Sequence, residues 1–119
     1  GKLSIDGGGG RDTIIGTAAG DVIFGGHGAD VVDGRGGNDT ITGGSGADTF
    51  VFGSAWGRDV VNDFQDGLDR LDFRGTVPGG FKSLKIVATD HGASISWAGN
   101  EVLLVGVKAA DVGAADFIF

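Results

Sequence analysis

A large apolar residue returns at every ninth position, from Ile5 through Ile14, Ile23, Val32 and Ile41 to Phe50. Each predicts a strand of three residues whose middle side chain points inward and whose neighbours point outward. The six residues before each strand make a turn. Residues 81–106 follow a different pattern, the alternation of antiparallel strands. Leu84–Ala88 leads through Asp90, His91 and Gly92 into Ala93–Trp97, and Ala98-Gly99-Asn100 turns the chain into Glu101–Val105. Such strands would cap a stack that otherwise exposes a sheet edge and an apolar cross-section. The expected fold class is all-β, with repeats in residues 1–52 and a flanking β region in residues 53–119.

The apolar ladder lies inside a longer repeat. Residues 7–15, 25–33 and 43–51 all fit G-G-x-G-x-D-x-U-x, where U is large and apolar. The copy at 16–24 has Thr17 and Ala19 in place of its second and fourth residues, and the copy at 34–42 has Arg35 in place of its second. The register does not slip: the aspartates fall at 12, 21, 30, 39 and 48. Glycine accounts for 26 of 119 residues and proline for one, so the chain is rich in turns without being collagen-like.

Charge sharpens this picture. The net charge is -7, and among the acidic residues only Glu101 is a glutamate. Short carboxylates anchored near a turn suit oxygen-seeking metals better than a general need for solubility does. A negative chain without a basic stripe is a poor partner for nucleic acid. There is no cysteine, which excludes disulfides and thiolate metal sites. No apolar run reaches the length of a membrane span. No charged segment followed by an apolar one opens the chain, so a conventional signal peptide is not expected.

The nonapeptide resembles the calcium-binding repeat of the RTX (repeats-in-toxin) family. That resemblance implies a right-handed parallel β-roll in which two repeats complete one coil. Ile14, Val32 and Phe50 would then stack on one side, and Ile5, Ile23 and Ile41 on the other. Asp12, Asp30 and Asp48 would line one edge, and Asp21 and Asp39 the other. Such columns repel themselves unless a counter-ion intervenes. Ca²⁺ suits the gap, being hard and accepting roughly 6–8 oxygen ligands, whereas Mg²⁺ demands a tighter octahedron. By the resemblance, the ligands of several calcium ions are those five carboxylates and the turns at Gly7, Gly8, Gly10, Gly16, Ala18, Gly25, Gly26, Gly28, Gly34, Gly36, Gly37, Gly43, Gly44 and Gly46. If the turn of residues 16–21 needs positive φ, Thr17 and Ala19 would make its site the weakest.

The segment from Asp59 to Phe73 looks like the stretch that follows the repeats in secreted RTX proteins. Asp59, Asp63, Asp69 and Asp72 are either a further calcium site or turn and edge residues. The final Asp116-Phe117-Ile118-Phe119 resembles a type I export signal and equally reads as a last strand.

A catalytic reading finds little support. His27 and His91 form no H-E-x-x-H pair, no G-x-S-x-G occurs, and calcium explains the many carboxylates better than acid–base chemistry does. Trp56 and Trp97 suit packing more than sugar binding. The resemblance implies an extracellular bacterial module that folds on calcium. Its partners would be the type I secretion machinery and an upstream passenger, such as a protease, lipase, epimerase or toxin. A module that binds polysaccharide or cell surface is the alternative, with a glycan as partner, and a piece of a catalytic domain is the third.

Overall fold

The computed structural model describes residues 4–53, 55–65, 67–74, 76–77 and 79–119. A strand forms at each step of the apolar ladder: β1 (Ser4–Asp6), β2 (Thr13–Ile15), β3 (Val22–Phe24), β4 (Val31–Asp33), β5 (Thr40–Thr42) and β6 (Thr49–Val51). Beyond the repeats come β7 (Arg58–Val61), β8 (Arg70–Asp72), β9 (Lys85–Ala88), β10 (Gly92–Trp97), β11 (Asn100–Val105) and β12 (Phe117–Ile118). The helical content among the described residues is three short 3-10 turns, at Gly80–Ser83, Ala109–Asp111 and Ala114–Asp116.

Successive strands of the repeats alternate between two sheets, as the resemblance implied. One sheet runs β1-β3-β5-β7-β11-β10-β9 and the other β12-β8-β6-β4-β2. Parallel register stacks like on like. Ile5 lies opposite Ile23, Ile23 opposite Ile41, and Ile41 opposite Val61. Across the roll, Ile14, Val32, Phe50, Leu71 and Phe117 form the second ladder. The middle residues of β2 to β6 are all buried, while Thr13 and Ile15 beside Ile14 are exposed. Removing one such side chain from water contributes about 1.5–3 kcal/mol. The core is therefore one side chain deep on each side, and each rung counts.

Asp59 follows Asp48 by eleven residues instead of nine, yet β7 keeps step with β5. The longer connection brings in Trp56, which is buried against Phe52 and Phe73 at ring-centroid distances of 5.6 and 5.2 Å. Phe73 stacks in turn on Phe117 at 5.7 Å. An aromatic plug thus fills the C-terminal end of the roll.

The antiparallel strands lie where alternation placed them, and they cap the roll by prolonging it. β11 pairs in parallel with β7, setting Leu104 opposite Val61 and so adding a rung to the first ladder. β10 and β9 then follow as a meander. The second sheet is prolonged by β12, so Phe117 and Ile118 act as the last strand in the folded state. The turn between β10 and β11 has Ala98 at φ 52° and Gly99 at φ 85°, the left-handed pair of a tight two-residue hairpin.

Candidate metal centre

The turns place one aspartate per repeat at an edge of the roll, and backbone amides link them into columns. On one edge the amide of Asp12 donates to Oδ1 of Asp30 at 2.9 Å, that of Asp30 to Asp48 at 3.0 Å, and that of Asp48 to Asp69 at 2.8 Å. On the other, Asp21 donates to Oδ1 of Asp39 and Asp39 to Oδ1 of Asp59, both at 2.8 Å. Asp59 and Asp69 therefore continue the two columns beyond the regular repeats. Asp63 is placed differently, since its two oxygens accept from the amides of Gly43 and Gly44 at 2.8 Å each. Asp72 lies outside both chains of bonds and is held by Arg74 in an ion pair of 2.8 Å. Burial works to raise its pKa, but the hydrogen bonds from Arg74 outweigh it and leave the carboxyl below its usual range.

These links use only Oδ1 of Asp30, Asp39, Asp48, Asp59 and Asp69, while Asp12 and Asp21 enter them through their amides alone. Oδ2 of Asp12, Asp30, Asp39 and Asp48 is buried without a hydrogen-bond donor. A buried carboxylate oxygen with no partner is costly, and native proteins rarely leave one so. Burial is also the main reason that the carboxyl of Asp39 is pushed up to about 6, that of Asp48 to about 7 and that of Asp59 to about 8. Amide hydrogen bonds from the column oppose this rise, and the charges of column neighbours add to it. Asp69 is raised for the same primary reason.

Backbone oxygens converge on the orphaned atoms. A methyl group built on Gly25 would stand 2.6 Å from the carbonyl oxygen of Gly43 and 2.8 Å from Oδ2 of Asp30. Gly7 repeats this arrangement with Gly25 and Asp12, and Gly16 with Gly34 and Asp21. At Gly34 and Gly43 the same methyl would run into the carboxylates of Asp39 and Asp48. The next glycines bring further carbonyls close. Gly26 and Gly28 have φ of 87° and 103°, which side-chain-bearing residues rarely adopt, and they press against the carbonyls of Gly8 and Gly10. Gly44 and Gly46 sit likewise on Gly26 and Gly28, Gly37 packs on Ala19, and Gly36 lies over Ala18. No cluster of three or more His, Cys, Asp or Glu side chains suited to a metal occurs among the described residues. A cation here would thus be held by pairs of carboxylates and by main-chain carbonyls. That donor set is all oxygen and anionic, which fits Ca²⁺.

The copy at 16–24 breaks the rule. Thr17 and Ala19 do not take positive φ, whereas Arg35, at the second position of its own repeat, does at 62°. The strain that positive φ would impose on Thr17 and Ala19 is therefore absent. Instead the amide of Thr17 donates to Oδ2 of Asp21 at 2.7 Å, and its hydroxyl lies 3.1 and 3.2 Å from the two carboxylate oxygens. His27 is exposed, with Nδ1 2.8 Å from Oγ of Ser45 in the next turn of its edge.

Stacked short strands with aspartate columns and inward-facing turn carbonyls define a nonapeptide β-roll of the metal-binding kind. The family model of the RTX calcium-binding nonapeptide repeat, in four copies, matches residues 6–41 and 28–55. Residues 6–55 are therefore calcium-binding repeats of this kind. The extracellular lipase LipA from Serratia marcescens shares the fold, with a TM-score of 0.60 at 18% identity over 92% of this chain. This chain spans 20% of that lipase's length. The AlgE6R2 and AlgE6R3 subunits of the Azotobacter vinelandii mannuronan C5-epimerase are 29% and 28% identical. Their TM-scores are 0.43 and 0.39, over 94% and 92% of this chain and 91% and 78% of theirs. No curated protein sequence matches the chain.

Proposed function

We propose that this chain is a calcium-dependent folding module that works outside the bacterial cell, supporting type I export and the stability of an upstream passenger. The observation that carries this reading is the set of buried, donorless oxygens on Asp12, Asp30, Asp39 and Asp48. Calcium bound between consecutive turns would supply the positive charge and oxygen coordination that those atoms lack. Asp12, Asp30, Asp39 and Asp48, with the turn carbonyls, are the proposed ligands, Asp59, Asp63 and Asp69 extend the set, and Asp21 stands apart because Thr17 donates to its carboxylate. Without metal the columns oppose closure of the coils, and the glycine-rich turns carry a high ordering entropy. The chain would then stay unfolded in a calcium-poor cytosol and pass through a narrow channel. Sites of the extracellular class, with Kd on the order of 0.1–1 mM, would fill outside and oppose backsliding. In this division of labour residues 1–52 carry most of the response to calcium, while residues 53–119 add Asp59, Asp63 and Asp69, close the stack and carry the export signal at Asp116–Phe119. Circular dichroism in chelator and in excess calcium tests the reading. The expected result is a disordered spectrum that becomes β on adding calcium; a full β spectrum in chelator would defeat the switch.

A second reading, binding of an acidic polysaccharide, is favoured by one surface feature. The register lines up Lys85, Ser96, Glu101 and Arg58 across four strands. With Trp97 and Asn100 they border a hollow of about 360 Å³. Two cations beside an aromatic ring suit an anionic sugar. On a glycan array, retention of acidic glycans that is lost in R58A/K85A would support it, and an array without signal would remove it.

A further inference from the structure

We infer that the turn of residues 16–21 is locked by Thr17 in place of a metal ion, so that the roll takes up one calcium fewer than its aspartate columns suggest. This rests on the calcium reading above and concerns which turns take part in it. In the copies beginning at Gly7, Gly25 and Gly43, the second and fourth residues are glycines at positive φ, and in the copy beginning at Gly34 these places are held by Arg35 and Gly37, also at positive φ. All four of those turns leave Oδ2 of their aspartate buried without a donor.

The turn of residues 16–21 resolves the same problem from within. Its carboxylate receives the Thr17 amide at 2.7 Å and faces the Thr17 hydroxyl at 3.1 and 3.2 Å. The hydroxyl oxygen accepts from the Ala19 amide at 3.2 Å, which orients its own proton toward Asp21. Two donor protons, one from the amide and one from the hydroxyl, therefore already engage this carboxylate, and their positive ends oppose a cation approaching the same oxygens. The amide of Gln65 makes a similar bond to Oδ2 of Asp69 at 2.8 Å, without a hydroxyl to complete it. Thr17 thus does locally, and at any calcium concentration, what the other repeat turns leave to metal.

Native mass spectrometry of the calcium-saturated chain counts the ions directly. The double variant Thr17→Gly/Ala19→Gly restores the glycines of the other repeats and is expected to bind one ion more than the natural chain. An equal count in the two overturns the inference, whereas a natural chain that binds no ion overturns the calcium reading itself. Thr17→Val gives an independent measure should the glycine variant fail to fold. It is expected to keep the ion count and to lower the Tm in saturating calcium, with Thr17→Ser restoring the Tm. Loss of an ion in Thr17→Val would make the hydroxyl a ligand and overturn the lock.

Discussion

At the scale of single residues, the first glycine of each repeat is the position where chemistry and packing meet. A methyl on Gly25 would enter the oxygen-lined space between Gly43 and Asp30. Gly25→Ala should therefore raise the calcium midpoint and destabilise the loaded roll by about 1–3 kcal/mol, as overpacking does. Gly9→Ala, where a methyl meets nothing within 4 Å, should stay within about 0.5 kcal/mol of the natural chain. Calcium titrations followed by circular dichroism separate the two, and equal midpoints would rule out a metal site in that oxygen-lined space. The raised carboxyls of Asp39, Asp48 and Asp59, at about 6, 7 and 8, make a second expectation. From the ordinary carboxyl value of 3.8 up to about 8, the metal-free roll binds more protons than the unfolded chain. Its stability therefore falls as pH rises through that window. Calcium must displace those protons, so the affinity of the loaded state rises with pH over the same window. Midpoints that do not move across it would contradict this. The aspartate spacing was readable in the sequence because it is strictly periodic. The capture of Asp21 by Thr17 was not, because a missing glycine signals only what a turn lacks.

At the scale of strands, the inward ladder carries the fold. Val32→Asp places a charge between Ile14 and Phe50, at a residue fully buried in a core one side chain deep. An unpaired buried charge costs several kcal/mol, which should abolish calcium-induced folding. Thr13→Asp on the exposed flank of β2 should be nearly silent, and matching losses in the two variants would undo the inward–outward assignment. The hairpin at Ala98 offers a gain instead. Its φ of 52° is unfavourable for alanine by about 1–2 kcal/mol. Ala98→Asn would make the Asn-Gly pair preferred in such turns and should stabilise the loaded chain by about 1 kcal/mol in urea unfolding. Strand positions were legible from the nine-residue ladder and from local alternation in residues 84–105. The parallel docking of β11 on β7 was not, because nothing near Val102 or Leu104 announces a partner more than forty residues earlier. The aromatic plug of Phe52, Trp56, Phe73 and Phe117 was hidden for the same reason.

At the scale of the whole molecule, each coil contacts its neighbours and little else, so stability is close to a sum over rungs and bound ions. One site held at about 100 times its Kd contributes about 2.7 kcal/mol. Two or three such sites match the whole stability of an ordinary small domain, about 5–15 kcal/mol. Calcium is thus large enough to decide whether the roll exists, and the chelator experiment reads that decision. The added rungs of β11 and β12 shield the last coil at one end, where Leu104 and Phe117 are buried.

The alternation of strands between two sheets also sets how such a chain can change its length by inheritance. Parallel partners lie 18 residues apart in the regular repeats, one full coil. Gain or loss of two nonapeptides together adds or removes a coil and leaves every later strand in its own sheet. A single nonapeptide gained or lost would send each later strand to the opposite sheet. Lineages of this module should therefore differ by even numbers of repeats.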